Sequence, residues 1–228
     1  MDLVTSLLRL ACSGGAAYIQ SHNMRDPVAR LSYLMEAQQV EYGAADFIKT
    51  LSKRATAEGD TWLAKKLDLH AIDEEKHGKV FGHALEQLTQ GKKVDAPERN
   101  PFYSAYLEGY SPEKLQAEKI DWVVFMGSMY VLERDSSREF VHMANALPED
   151  NRCLSNLKKG LMKIAEDEKR HAGYLYEAMQ RRMGNTVDEW IDQWRTRQVQ
   201  AILTITGEFM RGVQRPVMPQ DGALFSWS

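Results

Sequence analysis

Apolar side chains recur at alternating steps of three and four residues in four long stretches of the chain. This is the spacing of one face of an α-helix. The stripes cover residues 31–48, 63–88, 123–147 and 154–178. Proline and glycine are sparse, at 7 and 15 residues, and most prolines lie between the stripes. The pattern therefore predicts an all-α chain with four long helices, numbered one to four in chain order.

The breaks between the stripes predict how these helices connect. Residues 57–60 (AEGD) and 148–151 (PEDN) are short turns, so helices one and two, and helices three and four, should pair antiparallel. Residues 91–111 form a longer connection that can run the length of a bundle. Ser111 and Pro112 are suited to start helix three, as cap and first residue. We expect an antiparallel four-helix bundle over about residues 28–182.

The remaining chain predicts one further helix and an irregular end. Thr186 and Glu189 have the spacing of a capping box, which places a fifth helix at about residues 187–212. Residues 213–228 contain too much proline and glycine for a helix. We expect residues 1–228 to form a single domain.

Each of the four apolar stripes carries one glutamate near its middle. Stripes two and four also carry a histidine three residues later, on the same helix face. The residues are Glu41, Glu74, His77, Glu133, Glu168 and His171. The chain therefore repeats a two-helix unit, Glu followed by Glu-x-x-His, and buried carboxylates at such positions are rare without a partner.

The six side chains should meet at one level of the bundle. Within each half, the glutamate of the first helix and the Glu-x-x-His pair of the second lie about 15–18 residues from the intervening turn, at about 1.5 Å per residue. Four bare carboxylates would repel one another there, whereas two divalent cations would compensate their charge. The sequence predicts a site for two metal ions; the alternative is a metal-free core with satisfied polar groups.

A single Glu-x-x-His match carries little weight by itself. A third match, Glu139 with His142, shows why. These residues lie about 120° and 180° round helix three from Glu133, at about 100° per residue. We therefore expect both to face solvent.

This ligand pattern resembles the ferritin-like di-iron carboxylate superfamily over about Leu31 to Arg182. The run IAEDEKRHAGYLYE at 164–177 is similar to a rubrerythrin-type helix, and IDEEKHGKVF at 72–81 is its counterpart. The resemblance implies a ferritin-like bundle with a long crossover between helices two and three. It also implies that the glutamates of the two Glu-x-x-His pairs bridge two ions and that each histidine caps one ion. The other two glutamates would be terminal or bridging, because spacing does not decide which glutamates bridge.

Two aspartates directly precede the ligand glutamates of the Glu-x-x-His pairs. The resemblance implies that Asp73 bonds His171 and that Asp167 bonds His77, each across to the opposite half. Such carboxylate partners orient metal-binding histidines. The alternative is that both are solvated acids at the edge of the bundle.

His70 and Tyr130 lie one turn from Glu74 and Glu133 on the stripes that face the site. Ile164 occupies the place of His70 in the other half, so the site should be asymmetric. His70 is either a hydrogen-bonded core histidine or a functional one. Tyr130 is either a packing residue or a relay for an electron or proton.

Carboxylate and imidazole ligands suit iron or manganese, and we take two iron ions as the first expectation. The resemblance implies a non-haem di-iron oxidoreductase that activates O2 to oxidise or hydroxylate a small organic substrate, as a monooxygenase or oxidase with an external electron donor. One alternative is a rubrerythrin-like peroxide reductase. The cysteine-rich electron-transfer module is absent, however, and Ser136 and Ser137 stand where such enzymes carry an extra carboxylate. Another alternative is a ferritin-like ferroxidase or iron-storage subunit.

Composition limits the kinds of binding partner and the cellular location that we expect. The 29 basic and 32 acidic side chains leave a net charge of -3, which argues against nucleic acid and anionic membranes. Cys12 and Cys153 cannot form a disulfide framework, so a reducing, cytoplasmic location is expected. The first twenty residues lack the basic segment of a signal peptide, and no stretch is apolar enough for a membrane span. A monomer or homodimer is compatible with catalysis.

Overall fold

The computed structural model describes residues 3–92, 101–149 and 151–210, and these parts of the chain contain helices and no strands. The all-α prediction is therefore confirmed. Two short 3-10 helices, Pro112–Leu115 and Gly184–Thr186, accompany seven α-helices. The α-helices are α1 (Leu3–Arg25), α2 (Pro27–Ala57), α3 (Thr61–Thr89), α4 (Phe102–Tyr106), α5 (Trp122–Ala146), α6 (Arg152–Met183) and α7 (Val187–Met210).

The four predicted helices correspond to α2, α3, α5 and α6. Helices α2 and α3 run antiparallel on either side of a tight turn, and the Ser52 hydroxyl of α2 donates to the Ala64 carbonyl of α3 at 2.9 Å. Helices α5 and α6 also run antiparallel, with the rings of Tyr130 and Tyr176 5.8 Å apart. Helix α3 packs along α6 as well. The two predicted antiparallel pairs are therefore present, and α3 and α6 join them.

Side-chain caps fix the starts of the four long helices. The carboxylates of Asp26, Asp60 and Asp121 and the amide of Asn151 accept hydrogen bonds from backbone N–H groups in the first turns of α2, α3, α5 and α6. The first-turn N–H groups have no partner within the helix, so each cap contributes about 1 kcal/mol.

Two predicted helix starts differ in detail from the structure. Ser111 and Pro112 begin only a short 3-10 helix, and α5 begins ten residues later at Trp122, because Asp121 rather than Ser111 supplies the capping side chain. The predicted fifth helix is present from Val187. Thr186, however, belongs to the preceding 3-10 turn, where its hydroxyl donates to the Met183 carbonyl at 3.0 Å. The predicted tail at 213–228 lies outside the described residues.

Helix α1 packs on α5 and changes the environment of one predicted surface residue. Gln20 of α1 donates to the Glu139 carboxylate at 2.7 Å, and Glu139 is half-buried. The prediction that Glu139 faces solvent was therefore wrong. The helical angle from Glu133 was right, but the packing of α1 on this face was not predicted from the sequence. His142 is exposed, as predicted.

Two apolar clusters lie at different levels along the helices. On α2, Leu34 belongs to one cluster and Ile48 to the other. On α6, Ile164 belongs to the same cluster as Leu34, and Leu175 belongs to the same cluster as Ile48. The predicted ligand residues lie between the two levels, so a polar layer is enclosed by apolar side chains on both sides. None of the helices in the described ranges is long and apolar enough to cross a membrane.

Gly127 lets α7 approach α5 closely. A Cβ atom at this position would lie 2.5 Å from Cδ1 of Trp194 and still closer to the indole nitrogen of Trp190. The Trp190 indole donates to the Val123 carbonyl at 2.7 Å, which ties α7 to the first turn of α5. Both indoles are therefore held against the glycine.

We predict that Gly127→Ala lowers the free energy of unfolding. Overpacking costs about 1–3 kcal/mol, which outweighs a gain of at most about 1 kcal/mol in helix propensity. The matched control is Gly173→Ala in the exposed middle of α6, where nothing lies within 4 Å of the added carbon. That variant should be stabilised by about 0.5–1 kcal/mol. Urea denaturation with chelator present measures the free energy of unfolding of both variants. Equal stabilisation of the two variants would contradict the close α5–α7 contact.

Candidate metal centre

The six predicted ligand residues are all buried, with 2–7% of each residue exposed. They come from four different helices: Glu41 from α2, Glu74 and His77 from α3, Glu133 from α5, and Glu168 and His171 from α6. Because α2–α3 and α5–α6 are antiparallel pairs of similar length, residues near the middle of each helix reach the same level. The structure thus brings all six together.

The first group of donor atoms surrounds Nδ1 of His77. This nitrogen lies 3.3 Å from Oε1 of Glu168, 3.5 Å from Oε2 of Glu74 and 3.7 Å from Oε2 of Glu41. One donor atom from each of these four residues lies within 4.8 Å of all the others, an arrangement that could hold a metal ion.

The second group surrounds Nδ1 of His171. This nitrogen lies 3.2 Å from Oε2 of Glu168, 3.3 Å from Oε1 of Glu74 and 3.8 Å from Oε2 of Glu133. Donor atoms of Glu74, Glu133, His171 and also His70 lie within 4.8 Å of one another. Glu74 contributes to both groups, so the two candidate sites are adjacent.

His70 belongs to the cluster itself and is not a separate core histidine. Its Nε2 lies 2.6 Å from Oε1 of Glu74 and 3.3 Å from Oε1 of Glu133. Its Nδ1 lies 2.7 Å from the hydroxyl of Tyr174, and its ring stacks on His171 with 3.6 Å between centroids. His70 was predicted from the sequence to lie near the site, whereas Tyr174 was not. The signal was its spacing, because Tyr174 follows His171 by three residues and shares its helix face.

Tyr130 is buried, and its described contacts are with residues outside the donor groups. Its hydroxyl accepts a hydrogen bond from Nη1 of Arg134 at 3.4 Å, and its ring lies beside Tyr176. These contacts fit the packing alternative for Tyr130 better than the relay.

Three donor atoms in the cluster are buried and have no hydrogen-bond partner among the described residues. They are Nε2 of His70, Oε1 of Glu74 and Nδ1 of His77. Buried polar atoms are nearly always satisfied, since each unpaired one costs about 1–3 kcal/mol. Several such atoms converging on one volume fit a cation, which accepts their lone pairs.

Both predicted aspartates lie beside the histidine of the opposite half. Oδ2 of Asp73 is 3.6 Å from Nε2 of His171, and Oδ2 of Asp167 is 3.5 Å from Nε2 of His77. These separations are long for hydrogen bonds. Arg170, which the sequence analysis did not consider, ion-pairs with both aspartates. The aspartates are therefore held in place on the outer side of each imidazole and are not free solvated acids.

The pKa shifts follow from burial and crowding of like charges. Burial, together with the neighbouring charge of Glu74, raises the pKa of Glu41 well above its usual range. Burial and the charges of Glu133 and Glu74 raise the pKa of Glu168 to about 7. Burial alone would lower the pKa of His77, but the surrounding carboxylates outweigh it and raise that pKa. Protons and metal ions therefore compete for the same atoms, so metal affinity should fall as the pH is lowered.

Comparison with protein-family models, with curated proteins and with solved structures found no match to this chain. The evidence for function is therefore the geometry of this cluster.

We predict that Glu74→Ala abolishes retention of metal, because this carboxylate contributes an oxygen to both donor groups. The matched control is Glu75→Ala, which removes the adjacent exposed carboxylate. Elemental analysis after anaerobic loading with Fe(II) and desalting measures the metal content. Metal at about 100 times its dissociation constant should add about 2.7 kcal/mol to the free energy of unfolding of the wild type and of the control only. Equal metal content in all three proteins would contradict this site.

We predict that Asp167→Asn weakens metal affinity about 10–100-fold, because the amide holds His77 less firmly in its metal-binding orientation. Glu166→Gln, at an exposed neighbouring position, is the control and should bind metal as the wild type does. Competition with a chelator of known affinity measures the change. An unchanged affinity in Asp167→Asn would show that the aspartate serves only its ion pairs with Lys163 and Arg170.

Proposed function

We propose that this chain is a ferritin-like di-iron oxidoreductase that activates O2 to oxidise or hydroxylate a small organic substrate. The observation that carries the proposal is the pair of buried donor groups that share Glu74. Two adjacent ions joined by carboxylates form the kind of centre that carries out chemistry on O2 or peroxide.

The proposed fold is an antiparallel four-helix bundle of α2, α3, α5 and α6. Its support is the two antiparallel pairs, the packing of α3 on α6, and the long connection between α3 and α5. In this arrangement the chain passes from one pair to the other between the end of α3 and the start of α5. The short helix α4, which lies within that connection, packs on α7.

The proposed roles of the four glutamates follow from where their oxygens lie. Glu168 presents Oε1 to His77 and Oε2 to His171, and Glu74 likewise presents one oxygen to each histidine. These two would bridge the ions. Glu41 lies beside His77, and Glu133 lies beside His171, so each would be a terminal ligand of one ion.

Iron is proposed because both groups contain only carboxylates and imidazoles, which suit iron or manganese, and because iron supplies electrons for the reduction of O2. The chain's own residues orient the ligands and exclude water. Asp73 and Asp167 orient the two histidines, and the apolar clusters on both sides of the polar layer separate it from solvent. An external donor would return the electrons after each turnover.

The peroxide reductase remains the second candidate among the oxidoreductases. In that alternative an extra carboxylate one turn after Glu133 would join the centre. Here Ser137 donates its hydroxyl to the Arg134 carbonyl at 2.8 Å, so its described bond is to its own helix. This observation favours O2 over peroxide as the oxidant.

We predict that the anaerobic protein loaded with Fe(II) consumes O2 and oxidises two Fe(II) per chain in one fast phase, one for each donor group. Glu168→Ala should lose this phase, and Glu166→Ala should keep it. An oxygen electrode and stopped-flow absorbance measure both quantities, and product analysis with a panel of small aromatic and aliphatic compounds identifies the substrate class.

Other outcomes of this experiment would replace the proposal. A faster reaction with peroxide than with O2 would favour the peroxide reductase. Continued oxidation of excess Fe(II) by a large hollow assembly, seen by size-exclusion chromatography, would favour iron storage. Failure to bind stoichiometric metal would end the di-iron interpretation.

A further inference from the structure

We infer that His70 is a seventh protein ligand, which binds the ion of the second donor group through Nε2 while Tyr174 holds its Nδ1. This inference rests on the proposed function, because it assigns one more residue to the same centre. It makes the two ions unequal: one would have two histidine ligands, and the other would have one.

The first support is the position of His70 on α3. His70, Glu74 and His77 are spaced by four and three residues, so all three side chains leave one face of the helix. His70 is only 1% exposed, and its Nε2 lies 2.6 Å from Oε1 of Glu74 and 3.3 Å from Oε1 of Glu133. Those two carboxylates already belong to the second group.

The second support is the state of Nε2. It lies 2.6 Å from Oε1 of Glu74, yet neither atom has a hydrogen-bond partner among the described residues. Two buried polar atoms left this close without a hydrogen bond are unfavourable, and a cation that binds both would satisfy them.

The third support is the partner of the other ring nitrogen. Nδ1 of His70 lies 2.7 Å from the buried hydroxyl of Tyr174. If Nδ1–H donates to the tyrosine oxygen, the lone pair of Nε2 is free for a metal. Ligand histidines are commonly oriented in this way by a partner on their second nitrogen. Asp73 and Asp167 lie 3.6 and 3.5 Å from the outer ring nitrogens of the other two histidines.

The stacking of His70 on His171 agrees with this assignment. The ring centroids are 3.6 Å apart with 23° between the planes. The stacking places the two imidazole rings side by side, so nitrogen atoms of both histidines belong to the same donor group.

The other half of the chain has no equivalent of His70. Ile164 precedes Glu168 by four residues, as His70 precedes Glu74, and it is buried in an apolar cluster. The ion beside His77 would therefore have fewer protein ligands than the ion beside His171.

The experiment uses the full chain loaded with Co(II). A histidine bound to Co(II) shifts the exchangeable N–H proton of its ring far outside the normal NMR range, so such resonances count the ligand histidines. We expect three in the wild type, two in His70→Gln, and three in the control His83→Ala, which removes an exposed histidine of the same helix. Tyr174→Phe should weaken the affinity for one of the two ions about 10–100-fold, measured by Co(II) titration.

The outcomes separate this inference from the proposal on which it rests. A wild type that binds two Co(II) ions but shows only two shifted ring N–H resonances would overturn the role of His70 and leave the di-metal site intact. A wild type that binds no Co(II), Fe(II) or Mn(II) would overturn the proposed function itself. If His70→Gln does not fold, three resonances in the wild type and the weakened ion in Tyr174→Phe still test the inference.

Discussion

The structure depends on how a layer of buried carboxylates is neutralised. Four glutamates and three histidines lie within a few ångströms of one another, enclosed by apolar side chains on both sides. Burying charges of one sign costs several kcal/mol for each ion unless opposite charge is close. Protons can supply part of that charge, as the raised pKa values of Glu41 and Glu168 show. Metal ions can supply all of it and also satisfy the donor atoms that have no hydrogen bond.

The contacts that hold the helices together are also the contacts that orient the donors. Asp73 of α3 lies beside a histidine of α6, and Asp167 of α6 lies beside a histidine of α3. Arg170 ion-pairs with both aspartates across the same interface. A shift of α3 against α6 would therefore disturb both histidines at once. Packing and ligand geometry are coupled at this interface, so mutations in it should affect stability and metal affinity together.

The sequence predicted the parts of the structure that repeat along a helix. The helical period and the short turns placed Glu41, Glu74 and Glu133 on their helices, and equal distances from the turns placed them at one level. Features that depend on packing between distant segments were not predictable. Gln20 reaches Glu139 only because α1 covers α5, and Arg170 matters only because Asp73 lies opposite. The start of α5 was missed because several polar residues before it could have served as the cap.

The two halves of the repeat have diverged where chemistry would require a difference. An internal repeat by itself would give two equivalent ions, and equivalent ions offer O2 no preferred position. Replacing one apolar position of the repeat by a histidine breaks that equivalence without disturbing the shared carboxylates. His70 and Ile164 occupy corresponding places, yet one faces two glutamates and the other packs in an apolar cluster. The difference between His70 and Ile164 therefore makes the two candidate sites unequal.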